Sequence, residues 1–497
     1  MRLLELVEGL DMLRREGGDA EVTGIAYHSQ RVRAGDLFVA VPGHVTDGHL
    51  YIKEALSRGA AALLVAEGWD GGDTVPAGFP LLRAGDTRLA MALLSDRFWG
   101  HPSGRLKLVG ITGTNGKTTT AHLVEAAASR AGMVSGLIGT VVYRVAGRDL
   151  PVGRTTPESA DLQEILAAMA GEGCEVASME VSSHALALRR VDGCDFEVAV
   201  FTNLSQDHLD FHTDMEDYFR AKERLFLPRS RGGLEARAAV INADDPYGGR
   251  LAAVSTGRVL TYGTLPGAGL RGTLLEAGLK RSRVEVEYEG GRHVGETALT
   301  GRFNLYNILA SMGTCIMLGM EAGPSLESIL SQPGVAGRFQ AVEEGQDFAV
   351  LVDYAHTPDS LRRVLEAARE TTHARVIAVF GCGGDRDRGK RPLMGEIAVT
   401  AADAVFITSD NPRSEDPMAI IAEIEAGAKA VAAGSPYEVV ADRRAAIAAA
   451  IAAAAAGDVV VIAGKGHEKG QIFADRVVPF DDVEEARVAL RRRMRQR

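Results

Sequence analysis

Leu108-Val109-Gly110-Ile111-Thr112-Gly113-Thr114-Asn115-Gly116-Lys117-Thr118-Thr119-Thr120 decides how this chain is read. A short apolar run enters the segment and a glycine-bearing loop follows. Residues 121–131 then read as an alanine-rich helix with Leu123 and Val124 inside. Strand, glycine loop, Lys-Thr and helix together form the recipe for holding a nucleoside triphosphate. The loop N–H groups and the helix N-terminus both direct positive charge at phosphate. Gly113, Thr114, Asn115, Gly116, Lys117, Thr118 and Thr119 are the expected contacts. Lys117 would reach the β- and γ-phosphates, and Thr118 would offer a hydroxyl to Mg²⁺. One position departs from the common pattern: the glycine expected five residues before Gly116 is Ile111.

The 497 residues are enough for about three domains of roughly 150 residues. Hydrophobic content of 46% and charged content of 24% are ordinary for globular chains, so each unit can build its own core. The net charge of −11 disfavours nucleic acid as the main partner. Anionic substrates must then be held by local arginines and helix ends rather than by the overall field. Cys174, Cys194, Cys315 and Cys382 form no Cys-x-x-Cys pair, so neither a zinc knuckle nor a disulfide scaffold is expected. Free thiols suit a reducing cytosol. The first residues interleave charges and lack a signal-peptide core, and no apolar run approaches the ~20 residues of a membrane span. A cytoplasmic location is the expectation.

The fold class expected is α/β in three domains: 1–102, a small α/β unit; 103–334, a central parallel-sheet unit built on the phosphate loop; and 335–497, a Rossmann-like α/β unit. Strands are predicted at 36–41, 61–65, 107–111, 176–180, 198–202, 238–241, 349–352, 376–380, 404–408 and 459–463. Helical stretches alternate with them, which argues for parallel sheets covered on their faces. In such sheets ligands gather beyond the carboxyl ends of the strands.

Two groups of residues belong with the phosphate loop on this reading. Glu180 ends a predicted strand, and a carboxylate there suits a hard cation. Asp207, His208, Asp210, His212 and Asp214 crowd the loop after another. The spacing of His208 and His212 fits zinc, but the glutamate that accompanies such a pair is missing. Lys222 shares an apolar stripe with Tyr218, Phe219, Leu225 and Phe226 at helical spacing. A buried, unpaired ammonium loses basicity, and a neutral amine can take up CO₂ as a carbamate. A lysine that snorkels to the surface is the alternative.

Four charged loops follow the strands of the third unit: residues 353–358, 381–388, 409–413 and 464–468. Two arginines on neighbouring strand ends fit a substrate bearing carboxylates. Glu468 fits an ammonium.

Five stretches, in order, together resemble one family. They are Gly113-Thr114-Asn115-Gly116-Lys117-Thr118-Thr119, Glu180-Val181-Ser182-Ser183-His184, Thr202-Asn203-Leu204-Ser205-Gln206-Asp207-His208-Leu209-Asp210, Gly301-x-Phe303-Asn304-x-x-Asn307 and Asp353-Tyr354-Ala355-His356-Thr357-Pro358. The chain resembles the Mur ligases, ATP-dependent amino-acid ligases of peptidoglycan precursor synthesis, over essentially its whole length. The loop without its first glycine is normal for that family. Asp410-Asn411-Pro412-Arg413 looks like the signature of members that add meso-diaminopimelate. The resemblance implies the substrates UDP-MurNAc-L-Ala-D-Glu and meso-diaminopimelate, with ATP, Mg²⁺ (two ions) and a carbamylated Lys222. It places Ser29 and His44 at the UDP part, and Thr155, Thr156, Ser182 and Arg190 at the muramoyl dipeptide. Thr118, Glu180, His208 and the Lys222 carbamate would serve the metal. Asn304, Asp353 and His356 would meet the nucleotide. Arg386, Asp410, Asn411, Pro412, Arg413, Gly464 and Glu468 would form the amino-acid pocket. Lys117, Lys222, Glu180 and His208 are the expected catalytic set. A monomer is expected. Folylpolyglutamate synthetase shares similar ATP motifs, but the N-terminal unit and the 410–413 loop set this chain apart from it.

Overall fold

The computed structural model describes residues 1–43, 46–71, 74–278, 281–431 and 434–495. His44 lies outside the described residues. Three main sheets carry the architecture. The first has five strands in the order Leu13–Glu16, Leu81–Ala84, Ala62–Ala66, Asp36–Val39, Gly24–Ala26.

The second sheet has eleven strands and is centred on Lys107–Thr112. Val176–Glu180 and Val198–Phe201 flank that strand, both parallel to it. Within Lys107–Thr112 the side chains alternate faces, as strand geometry requires. Val109 and Ile111 pack among residues of helices Lys117–Arg130 and Arg302–Met317. Leu108 faces Leu162, Leu166 and Phe219 of helices Ser159–Gly171 and Met215–Glu223. Both faces are covered, so the strand reads as a continuous apolar run.

The central sheet is parallel through its middle, as expected, and carries antiparallel strands at both edges. Ser282–Tyr288 and Gly291–Thr297 pair antiparallel, as do Tyr143–Val145 and Arg148–Leu150. Each hairpin closes through two residues of positive φ, Glu289-Gly290 and Ala146-Gly147. Such turns match the natural twist of paired strands, and a two-residue connection can only join antiparallel neighbours.

The third sheet runs Gln340–Ala341, Ala349–Asp353, Val459–Ala463, Val376–Phe380, Ala404–Ile407, Tyr437–Val439, parallel except at the first pair. Strand order reverses beside Ala349–Asp353 and Val459–Ala463, so the loops after them open onto a crevice. Behind these loops Arg443 and Asp482 form a fully buried ion pair at 2.7 Å, and Arg443 also donates to the Ala463 carbonyl. Breaking a buried pair strands the remaining charge. Asp482→Ala is therefore expected to cost about 3–5 kcal/mol, read as a lower urea midpoint; an unchanged midpoint would mean that Arg443 finds another partner. Among the described residues no helix is long and apolar enough to cross a membrane.

Candidate active site

The phosphate loop is held open by its own geometry. Gly113 has φ +146° and Gly116 φ +87°. A Cβ on Gly113 would sit 1.9 Å from the Thr202 hydroxyl, and one on Gly116 2.4 Å from the Asn307 side-chain oxygen. Neither position tolerates a side chain. Ile111 is fully buried in the strand, which runs on to Thr112, so the loop begins after the position where the common pattern has glycine. Thr114 and Asn115 spend their backbone N–H groups on Asn203. Helix Lys117–Arg130 starts at Gly116 with no side-chain cap. The first-turn N–H groups thus remain for an anion.

Around this loop lies a cavity of about 920 Å³ whose walls come from the second and third sheets. Glu180 is buried at its base. Its carboxylate accepts from the Thr118 hydroxyl at 2.9 Å and from the Thr140 N–H at 2.7 Å. The Thr118 oxygen also accepts from the Arg338 guanidinium at 3.0 Å. Hard oxygens of a carboxylate and a hydroxyl fit Mg²⁺, and a cationic group already stands against them. Among the described residues no three His, Cys, Asp or Glu side chains form a ready-made metal cage.

Two lysines share one acceptor. The Lys117 ammonium donates to the Gly113 and Thr114 carbonyls at 2.9 and 2.7 Å. The Lys222 ammonium donates to the same Gly113 carbonyl at 2.9 Å and lies 4.5 Å from the centre of the Tyr218 ring. Lys222 is 1% exposed, which excludes snorkelling. Burial, and then the charge of Lys117, hold its pKa well below the usual lysine value. Burial also lowers Lys117. His208 has φ +55° and stacks edge-on against His184, with ring centres 4.8 Å apart. Burial pushes its pKa to about 4, so the imidazole is neutral at pH 7 and free to act as a ligand.

Thr155, Thr156, Ser182 and Arg190 line the same cavity beside Glu180. Thr156 donates to the Glu180 carbonyl at 2.8 Å and accepts from the Ser182 N–H at 3.2 Å. Glu158 serves three guanidiniums, those of Arg190 at 2.9 Å, Arg154 at 3.1 Å and Arg88 of the first unit at 3.3 Å. One carboxylate against three cations leaves excess positive charge at the wall. Ser29 lies apart from the cavity and donates to Glu54 at 2.7 Å. Asn304 sits one layer back, joining the Thr300 carbonyl and Asn307.

The third sheet closes the other wall. Asp353 accepts from the N–H groups of Phe339 and Ala355 at 2.6 and 2.7 Å, and burial raises its pKa. His356 lies against the Tyr354 carbonyl at 2.8 Å, its pKa lowered by burial and then by Lys390. Arg386 reaches the cavity. Asp410, Asn411, Pro412, Arg413, Gly464 and Glu468 gather just beyond the strand ends. Asn411 donates to Glu468 at 2.7 Å, and Gly464 donates to the Asp353 carbonyl at 3.0 Å. Arg413 donates to the Gly384 carbonyl at 2.7 Å; burial and then Arg386 lower its pKa.

Several lining residues carried no sequence signal of their own. Arg338 stands alone after Gly337, yet it bridges the sheets by reaching Thr118, with its guanidinium 4.6 Å from the Tyr354 ring centre. Asp244 and Tyr306, bonded at 2.8 Å, line the far end. Asn307 was visible only as the last residue of a motif.

Comparison with known proteins agrees with this geometry. The pattern described as Mur ligase middle domain matches residues 111–315. That described as Mur ligase, glutamate ligase domain, matches 337–466, and that described as Mur ligase family, catalytic domain, matches 21–98. The chain is 43% identical to the UDP-N-acetylmuramoyl-L-alanyl-D-glutamate–2,6-diaminopimelate ligase of Caldanaerobacter subterraneus subsp. tengcongensis, over 97% of this chain and 98% of that one. It is 45% identical to the protein of the same name from Solibacter usitatus, over 99% and 98%. A solved structure with that name superposes with a TM-score of 0.66, at 33% identity, covering 95% of both chains. With the phosphate loop, the Glu180 base and the third-sheet wall in one cavity, and relatives matched from end to end, the chain belongs to the Mur ligase family of ATP-dependent, amide-forming ligases.

Proposed function

We propose that this chain joins meso-diaminopimelate to the D-glutamate γ-carboxylate of UDP-MurNAc-L-Ala-D-Glu, using ATP, in peptidoglycan precursor synthesis. The observation that carries this reading is the meeting in one cavity of a phosphate loop, an arginine-rich acceptor wall and the Arg386 end of the amino-acid pocket. Residues 1–102 take the UDP part, 103–334 the nucleotide and 335–497 the amino acid.

The acceptor carboxylate attacks the γ-phosphorus of ATP; ADP leaves and an acyl phosphate forms. The amine of diaminopimelate then attacks the acyl carbon, phosphate leaves and the ammonium proton is lost. Thr156, Ser182 and Arg190 orient the acceptor. Lys117 exchanges its carbonyl partners for phosphate oxygens and offsets repulsion between carboxylate and triphosphate. Two Mg²⁺ ions, when bound through Thr118, Glu180, His208 and the Lys222 carbamate, supply further charge neutralisation. Lys222 loses its ammonium proton, and the neutral amine then bonds to CO₂ and releases a second proton, so that a buried cation gives way to an anion beside Lys117.

The test supplies UDP-MurNAc-L-Ala-D-Glu and ATP with either meso-diaminopimelate or lysine, and follows phosphate and product mass. Phosphate release is expected only with diaminopimelate. Release that ignores the amino acid, as in a nucleotide-driven switch, would overturn the proposal.

A further inference from the structure

We propose that Lys465 is a positioning residue of the amino-acid pocket, its buried ammonium fixing which atoms of Asp410, Asn411 and Glu468 face the substrate. The side chain is fully buried. Its Nζ donates to Asn411 Oδ1 at 2.7 Å, Asp410 Oδ1 at 3.2 Å and Glu468 Oε2 at 3.2 Å. All three ammonium donors are therefore used within the protein. The inference rests on the amino-acid reading of this pocket given above.

Asn411 is the atom-level consequence. Its Oδ1 accepts from Lys465 and from the Ile472 N–H at 3.0 Å, and its Nδ2 donates to Glu468 at 2.7 Å. Flipping the amide would set an NH₂ group against an ammonium and a backbone N–H, and an oxygen against a carboxylate. Lys465 thus locks Asn411 as a hydrogen-bond donor towards the substrate, with both carbonyl lone pairs spent.

Charge divides in the same way. Asp410 and Glu468 bring two negative charges and Lys465 cancels one. The pocket's acidic side keeps a single net negative charge, suited to one ammonium. Arg386 and Arg413 donate to the backbone carbonyls of Asp385 and Gly384, so their charge is left for carboxylates. Without Lys465 the two acidic groups would repel each other across a shared Asn411, and the amide would be free to turn. A polar network that loses its central member loses the geometry of the whole.

The experiment compares Lys465→Met with the full-length wild type. KM for meso-diaminopimelate is expected to rise at least about 30-fold, while KM for ATP stays within about 2-fold. In an Asn411→Ala background, Lys465→Met is expected to add clearly less than it does alone, because part of its action runs through Asn411 while Asp410 and Glu468 carry the remainder. An unchanged KM for the amino acid overturns the proposal. So does an equal loss for ATP, or additivity in the double variant; either would mark a merely structural lysine. If the methionine variant does not fold, Lys465→Gln, which keeps a donor without the charge, is measured by the same criteria. Failure of the wild type to use diaminopimelate would fall on the proposed substrate instead, and the comparison then runs with the amino acid that the wild type does use.

Discussion

Lys222→Ala is expected to reduce ligation at least about 100-fold, and bicarbonate is expected not to restore it. The wild type, depleted of CO₂, should regain activity when bicarbonate is added. The reasoning begins with burial. An ammonium with 1% exposure, a carbonyl as its hydrogen-bond partner and Lys117 on the same oxygen is poorly compensated. Its pKa is driven well below the lysine value, first by burial and then by Lys117, which favours the neutral, nucleophilic amine. Carbamylation reverses the sign of the interaction with Lys117, turning repulsion into attraction. A carbamate there would also add a hard oxygen donor to the cavity that Thr118 and Glu180 line. Near-normal turnover of the alanine variant, followed by phosphate release, would remove Lys222 from the mechanism.

Arg413→Ala is expected to raise KM for meso-diaminopimelate about 100-fold and to change KM for ATP by less than about 2-fold. Arg413 has φ +52°, and its N–H is held by the Ile472 carbonyl at 3.0 Å. The backbone therefore aims the side chain, which reaches the Gly384 carbonyl beside Arg386. Burial and the Arg386 charge disfavour the Arg413 guanidinium, and Asp410, Glu468 and Asp385 offset this only in part, so a further carboxylate beside the two arginines is favoured. Loss of one partner from a buried charge pair typically costs 2–5 kcal/mol, and tenfold corresponds to about 1.4 kcal/mol. The variant should also discriminate less against lysine, which lacks the second carboxylate. Equal losses for ATP and amino acid would refute a specificity role.

The parts of the fold that sequence made plain are those with continuous apolar runs. Strands Val176–Glu180, Val376–Phe380 and Val459–Ala463 lie where the predicted runs fall, because both of their faces are buried. The antiparallel edge at Leu270–Glu276, Ser282–Tyr288 and Gly291–Thr297 escaped notice. One face there is wet, charges interleave, and glycines interrupt the alternation. Site residues were legible when they fell inside a dense motif. Arg338 and Lys465 were not, since their importance lies in what they touch: Thr118, 220 positions away for one, and Asn411, 54 positions away for the other.

The phosphate loop also bears on how fast the enzyme can let go. Lys117 rests on the Gly113 and Thr114 carbonyls, Arg338 on Thr118, and Asn115 on Asp359 at 3.1 Å. These are understudies for triphosphate and metal. Nucleotide binding is then a partner exchange in which each gain is offset by a bond given up, so affinity is a difference between two well-satisfied states. A nucleotide that leaves such a site would leave no group unpaired, because each side chain has a protein partner to return to.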